Sequence, residues 1–484
     1  MIVNPPIPSF SKSFNGPIIM IGFGTIGKAL LPLIKRHIIQ SNNSITIISP
    51  DDSAVEIANK YEAEFISKEI SPENYFETLT ALINDNTEQA FIINLATEVS
   101  SKDLIEFSLN YNCYYIDTVV EPWPGFYLNQ EISKADQSNY ALREELKDLK
   151  AKSKNKTTAI SCCGANPGMV SWFVKKALLD IANDSKLNVS KPTTQSEWSE
   201  LMQKLNIKGI HIAEKDNQIG TETREVGTFT NTWSADGCIA ECLQPAELGW
   251  GTHEKELPSD GHEHASGNKS SIYLDTPGGA VKVKTWTPTF GKHFGYLITH
   301  NEAISISDYF TIKDDNGEVV YRPTCHYAYH PSDVTVNSID EIFENDIINQ
   351  PKKNKILSEI EIVSGADELG VMLYGNEQGA YWFGSRLEID EARELAPHQN
   401  ATGMQVASAV LAGIFYSLNH PNEGLIETDE MDFEECLSIQ KHYLGNLFGS
   451  YTNWTPDETT ESSDINENTW QFSNIRITPP RLIK

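Results

Sequence analysis

Residues 17–38 read PIIMIGFGTIGKALLPLIKRHI. An apolar run enters a glycine turn, and a helical pattern leaves it. Gly22, Gly24 and Gly27 form the spacing G-x-G-x-x-G, with Thr25 and Ile26 inside it. Leu30, Leu31, Ile34 and Ile38 then recur at helical spacing. The glycine spacing alone is a weak signal. Its position after a strand and before a helix is the context a dinucleotide-binding turn requires. The first glycine permits the turn, and the second lets backbone N–H groups approach a pyrophosphate at the helix N-terminus. The third lets helix and strand pack closely. A tight turn without a ligand is the bland alternative, and the context makes it the lesser one.

The same alternation continues outward. SITIIS (44–49), QAFIINLA (89–96), YYIDTV (114–119) and TTAISCC (157–163) read as further buried strands, separated by helical patterns. One helix is expected to start at Ser71-Pro72-Glu73, and Ser101 is expected to cap the next. Strand and helix in alternation imply α/β architecture, a Rossmann-type doubly wound parallel sheet over residues 1–160. Ligands in such folds sit at the C-terminal ends of the strands. Asn94, Ala96, Thr97, Asp117 and Thr118 fall there. Asp51 or Asp52, after the second strand, is placed to hold the adenine ribose. No Arg follows it to meet a 2′-phosphate, so NAD is favoured over NADP.

The chain changes character beyond residue 160. IKGIHIAEKD, GTFTNTWS, SSIYLDTP, AVKVKTWTPTF, TCHYAYH, GVMLYG and AYWFG read as strands. The last two are joined by a plausible hairpin at Asn376–Gly379. Residues 161–395 are therefore expected to form a second α+β domain, for substrate and dimerisation, on a mainly antiparallel sheet. The polar stretch 251–271 carries His253, His262 and His264, which read better as a solvated loop than as metal ligands. No metal is expected. Residues 396–484 form a C-terminal segment expected to pack back on the first domain through a helix at 400–418. Thr402 and Gln405 have capping-box spacing there. The stretch 457–470 reads as polar and mobile.

The chain has 484 residues, with 39% hydrophobic and 22% charged, which suits a globular protein with a real core. Sixty-seven acids against 38 bases give a net charge of −29. Nucleic acid and anionic membranes are disfavoured partners, and cations are favoured ones. Acidity for solubility alone is the more ordinary reading. Seven cysteines without a regular framework suggest reduced thiols and a cytoplasmic location. No signal peptide is evident at the N-terminus, and no apolar run reaches the roughly 20 residues of a membrane span.

Residues 227–242 read GTFTNTWSADGCIAEC. Trp233 and Glu241 stand close in a stretch rich in small and turn-forming residues, with Asp236 between them. Glu121 follows the fourth strand, and Asn166 the fifth. Glu214 ends IKGIHIAE, His300 and Glu302 lie in LITHNEAIS, and Asp367 lies in VSGADELG. Each has a plain alternative. Asn166-Pro167 reads equally as a helix cap, and the others as surface or turn acids. Together they place many carboxylates in a chain with a nicotinamide-cofactor turn and no arginine cluster for a carboxylate substrate. This tilts the substrate toward an amine.

IGFGTIGKALLPL, YYIDTVVEPWPG, SCCGANPGMVSWFVK, GTFTNTWSADGCIAEC and ITHNEAIS resemble bacterial homospermidine synthases of the saccharopine-dehydrogenase-like group. The resemblance spans nearly the whole chain, and the last four motifs are the specific ones. It implies a homodimer with tightly held NAD that converts two putrescine molecules to sym-homospermidine and ammonia through an imine. It also implies catalytic-pocket positions for Asn166, Trp233, Glu241, His300 and Asp367, and amine-positioning roles for Glu121, Glu214 and Glu302. Trp233 would offer an aromatic face to a protonated amine or iminium, worth about 1–2 kcal/mol when desolvated. Glu241 and His300 are both chemically able to act as the general base. Two alternatives stay open. A carboxynorspermidine or saccharopine dehydrogenase-like imine reductase needs a cationic grip, for which Arg224, Arg322 and Arg386 are candidates. A non-catalytic NAD-binding redox sensor needs neither the acids nor the tryptophan.

Overall fold

The computed structural model describes residues 10–40, 44–84, 88–129, 131–187, 189–221, 223–344, 348–358, 360–457, 465–466 and 468–477. Most of the stretch expected to be mobile, 458–464 and 467, lies outside the described residues, as do residues 1–9. The chain divides into two compact units: 1–132 with 141–169 and 388–445, and 133–140 with 170–387 and 446–484.

The first unit is built on a seven-stranded parallel sheet. Its order is Leu425–Glu427, Ala159–Ser161, Tyr114–Asp117, Phe91–Asn94, Ile18–Ile21, Ile45–Ser49 and Glu64–Ser67. The central strands are buried along their whole length, as their unbroken apolar runs require. Chain order reverses on either side of Ile18–Ile21, which creates the crevice where a dinucleotide binds in such sheets. Two edge strands, Glu64–Ser67 and Leu425–Glu427, are too short and too polar to stand out in the sequence. The helix Ala401–Asn419 is long and apolar enough to cross a membrane by length and composition, yet most of it is buried. It packs beside the helix Thr25–His37 inside this unit. Gly413 permits that seat, because a Cβ there would lie 2.5 Å from Ile116 and 2.8 Å from the Cys163 sulfur.

Four expected helix starts shift, and the helix expected from Ser71-Pro72-Glu73 begins at Tyr75. Ser100, not Ser101, caps Ser101–Asn110 through the N–H of Asp103. Asn400, not Thr402, caps Ala401–Asn419 through the N–H of Gly403. Asn166-Pro167 lies just ahead of the helix it is expected to open. The helix starts at Met169, after a turn in which the Gly164 N–H donates to the Pro167 carbonyl.

The second unit carries a ten-stranded mixed sheet. Its main path runs Gly261–Glu263, Ser271–Pro277, Pro245–Gly249, Thr324–His330, Gly209–Asp216, Ala366–Asn376, Gly379–Glu388 and Asn446–Thr452. Thr324–His330 and Gly209–Asp216 are parallel, and their flanking strands are antiparallel. The polar stretch after residue 251 holds the edge strand Gly261–Glu263. Asn446–Thr452 pairs with Gly379–Glu388, so the chain after 445 belongs to this unit, whereas the sequence reading draws its boundary at 395/396 and keeps 396–484 together. Backbone pairing assigns that segment more strongly than its polar composition does.

Candidate active site

The glycine turn meets the steric demands of a phosphate cradle. Gly22 has φ +88°, and a Cβ there would lie 2.7 Å from the Ala96 nitrogen. Gly27 lies against Phe23, whose ring would stand 2.9 Å from an added Cβ. A Cβ on Gly24 would meet nothing within 4 Å. Gly24 is also the N-cap of Thr25–His37 and has no side-chain cap. The first-turn N–H groups of this helix have no side-chain cap from Gly24, at the positive end of the helix dipole. The Asp51 carboxylate accepts from the Ser53 N–H and hydroxyl, both at 2.9 Å, and these bonds hold its pKa below the ordinary value. It is an exposed anion where an adenine ribose is expected. The residues present fit a dinucleotide.

The other expected cofactor residues divide. Asn94 is buried and accepts from the Ala96 N–H, while Thr97 is exposed. Thr118 is half-buried. Asp117 faces inward. Burial pushes its carboxyl up to about 7, against bonds from the Cys162 N–H at 2.6 Å and the Tyr115 hydroxyl at 2.8 Å. Its carboxylate holds Cys162 at a left-handed φ of 60°. Glu121 and Asn166 lie in this first unit. The Glu121 backbone is fixed to Ser101, with its N–H donating to the Ser101 hydroxyl at 3.0 Å.

The remaining candidates belong to the second unit. His300 is the N-cap of the helix Asn301–Tyr309, an element the sequence reading takes for a turn between strand-like halves. Its ring is tied at both nitrogens, to Glu302 Oε1 at 3.2 Å through Nδ1 and to Glu241 Oε2 at 3.2 Å through Nε2. Burial pushes the imidazole pKa down, but the two carboxylates outweigh burial and hold it well above the ordinary value. A carboxylate at each nitrogen favours the protonated ring, in which both N–H groups donate. Glu302 is 1% exposed, and its second oxygen accepts no hydrogen bond in the structure. The Glu241 side chain is 22% exposed. It rides on the helix Ala235–Leu243, capped by Ser234, whose hydroxyl accepts from the Gly237 N–H at 3.0 Å.

Beneath this clamp lies one face of the sheet. Alternation puts Glu214 and Asp216, Tyr327 and Tyr329, and Asp367 on the same side, in register across three strands. The His300 ring stands 4.4 Å from the Tyr327 ring. The Tyr327 hydroxyl donates to Glu214 Oε2 at 2.5 Å, and Trp233 Nε1–H donates to the Tyr329 hydroxyl at 3.0 Å. Asp367 pairs directly across from Asp216. Asp236 is exposed and accepts from the Asn354 amide, away from this face.

Sequence reasoning names Glu214, Trp233, Glu241, His300, Glu302 and Asp367, but not Tyr327, Tyr329 or Asp216. The Y-A-Y alternation in TCHYAYH was the available signal, since it puts two tyrosines on one strand face. The arginines that a carboxylate substrate needs are engaged elsewhere. Arg224 pairs with Glu341, Arg322 donates to Thr311 and to the Lys269 carbonyl, and Arg386 lies 3.7 Å from Glu368. His262 bonds Asp275 at 2.9 Å. Among the described residues, no three His, Cys, Asp or Glu side chains converge as a metal site.

The sequence matches the family described as saccharopine dehydrogenase NADP binding domain over residues 18–160. It matches the saccharopine dehydrogenase C-terminal domain over residues 164–450. A homospermidine synthase of Blastochloris viridis is 47% identical over 471 residues, 96% of this chain and 98% of that one. A homospermidine synthase of Mesorhizobium japonicum is 47% identical over 473 residues, 96% of each chain. The crystal structure of the homospermidine synthase from Legionella pneumophila in complex with NAD superposes with TM-score 0.88 at 40% identity. It covers 97% of this chain and 100% of that one.

Proposed function

The chain belongs to the homospermidine synthases of the saccharopine dehydrogenase group, and on that premise we propose how its own side chains serve the reaction. It is an enzyme, and its cofactor is NAD. The reaction converts two putrescine molecules to sym-homospermidine and ammonia through an imine, with no net change in oxidation state. NAD, when bound at the Gly22–Gly27 turn with Asp51 at its ribose, supplies the acceptor and later the donor of one hydride.

The protein's part begins with the charge on the amines. One ammonium of the diamine is held by carboxylates, with Glu214 and Glu302 in that role. The reacting ammonium must lose a proton before its α-carbon can release hydride. Glu241 takes that proton. His300 faces a carboxylate at each ring nitrogen, which favours its protonated form and so assigns the base role to Glu241 rather than to the ring. It holds the Glu241 carboxylate in place and can return a proton to the departing ammonia. Trp233 faces the transient cation with its π-surface. Burial of this face limits water, which would otherwise divert the imine to an aldehyde. Asp367 adds a buried carboxyl at the far end of the row. Glu121 and Asn166, on the first unit, are assigned to the same chemistry by resemblance. The enzyme is further assigned to the cytoplasm, where its seven buried free thiols stay reduced, and to a homodimer.

The observation that carries this reading is His300 held at both ring nitrogens between Glu241 and Glu302, with all three candidate arginines paired to other groups. The test is incubation with putrescine and no reductant, with and without NAD. Sym-homospermidine is followed by mass spectrometry and ammonia by assay. Product with catalytic NAD and no net NADH supports the synthase. NADH accumulating in proportion to substrate would make the protein an amine dehydrogenase instead.

A further inference from the structure

The stacked pair Tyr327 and Tyr329 sits under the site without belonging to any candidate set. The two residues alternate with Ala328 on one strand, so both rings rise from one face while Ala328 joins the core on the other. Their rings are 5.2 Å apart and 15° from parallel. Both are buried, at 4% and 1% exposure. Each hydroxyl is spent on a different functional group. Tyr327 donates to Glu214, while Tyr329 accepts the indole N–H of Trp233. The Tyr327 ring also supports His300 at 4.4 Å.

This arrangement has a physical consequence. An indole has only one polar atom, and its N–H is a donor alone. Anchoring that atom fixes the plane of the ring, and so the direction of its π-face. A carboxylate that accepts from a phenol likewise has the direction of its plane restrained. The spacing of two residues along the strand, roughly 7 Å, sets how far apart the two anchors lie. Ordinary core packing does not require two phenol hydroxyls to be spent on an acid and an indole.

We propose that Tyr327 and Tyr329 are positioning residues: a rigid platform that orients the ammonium-binding Glu214 and the cation-facing Trp233 relative to one another. The proposal rests on the synthase reading. It adds two residues that touch neither the diamine nor NAD and act through others.

The test is a pair of double-mutant cycles in the NAD-loaded enzyme. Putrescine affinity is read by calorimetry and turnover by homospermidine formation. Tyr327→Phe keeps the ring and removes only the hydroxyl. It is expected to weaken putrescine binding and kcat/KM roughly ten- to hundredfold, the loss for a hydrogen bond to a charged group. In a Glu214→Gln background the same change is expected to matter less than about twofold, because the two act as one unit. Tyr329→Phe is expected to lower kcat about two- to tenfold with KM little changed. That loss disappears in Trp233→Phe, which has no N–H to anchor. Additive losses in both cycles, or no loss from either single change, would overturn the platform. If Tyr327→Phe fails to fold, the Tyr329–Trp233 cycle decides alone. Wild-type protein that binds putrescine with intact coupling but forms no homospermidine would sink the synthase reading and leave the platform standing. Wild-type protein that neither binds nor converts putrescine would overturn both.

Discussion

The two faces of the strands Gly209–Asp216, Thr324–His330 and Ala366–Asn376 share a backbone and differ in chemistry. One face carries Glu214, Asp216, Tyr327, Tyr329 and Asp367. The other carries His211, His326, Met372 and Tyr374, packed among Trp454, Trp470 and Phe472. Both faces are buried, but they treat protons oppositely. Over the first, two helix-borne carboxylates, Glu241 and Glu302, face His300 and favour its protonated form. On the second, the His211 and His326 rings lie 4.2 Å apart, tilted by 38°, with no acid bonded to either ring among the described residues. Burial there pushes the His326 pKa down to about 4 and the His211 pKa well below its ordinary value. Burial alone therefore does not decide the charge of an imidazole. The partner across the next few ångströms does.

The strongest way to break this comparison is to remove the base from the first face. Glu241→Gln keeps the shape and one hydrogen bond to His300 but cannot take a proton. Its kcat for homospermidine formation is expected to fall 10²–10⁴-fold, the usual scale for a general base. A variant retaining full activity would take Glu241 out of the mechanism.

The second test works on the other face, through stability and pH. An unfolded imidazole titrates near 6.5, and His326 in the fold near 4. The unfolded chain thus binds more protons in that window. The contribution of His326 is whole above pH ~6.5 and is lost as pH falls toward 4, by up to about 3 kcal/mol. His326→Phe removes the titration. The stability gap between wild type and variant, measured by urea unfolding, should move in the variant's favour by that amount across the window. A gap independent of pH would mean that the ring is already charged in the fold.

The third test sharpens the role of the aromatic face. Trp233→Ala is expected to lower kcat/KM about five- to thirtyfold, from a cation–π term of about 1–2 kcal/mol. Trp233→Phe should fall between Ala and wild type. Equal activity in both variants would show that the ring only fills space. The smallest effect belongs to Arg224, whose partner Glu341 is partly exposed. Arg224→Gln should change kcat/KM for putrescine less than about threefold and stability by under about 1 kcal/mol. A large loss would revive a carboxylated substrate.

What could be read without coordinates was local. The glycine turn is complete within six residues, and its steric logic holds at Gly22, Gly24 and Gly27 alike. Strands buried on both faces announce themselves as apolar runs, so the central strands of the parallel sheet were legible. Short polar edge strands were not, because an edge needs little hydrophobicity. Caps were misplaced by one or two residues at Ser101 and Thr402, where neighbouring Ser and Asn residues compete for the same orphan N–H groups. The helix starting after His300 was hidden because NEAISISDY lacks a strong amphipathic pattern and is buried on nearly every side.

The sequence by itself determined the nucleotide turn, the alternation that builds a doubly wound sheet, and a surplus of carboxylates suited to amines. Turns and buried strands depend on neighbours a few residues away, so they are written in order along the chain. Only the tertiary structure decided which carboxylates act together. Glu214, Trp233, Glu241, His300 and Tyr327 lie as far as 113 residues apart in the chain, and sheet register and helix placement bring them to one face. Register also decided that Tyr327 and Tyr329 support this site and that His326, one residue from Tyr327, is sealed neutral in the core. A strand turns successive side chains to opposite faces, so a single step along the chain separates a proton-handling surface from a packed interior.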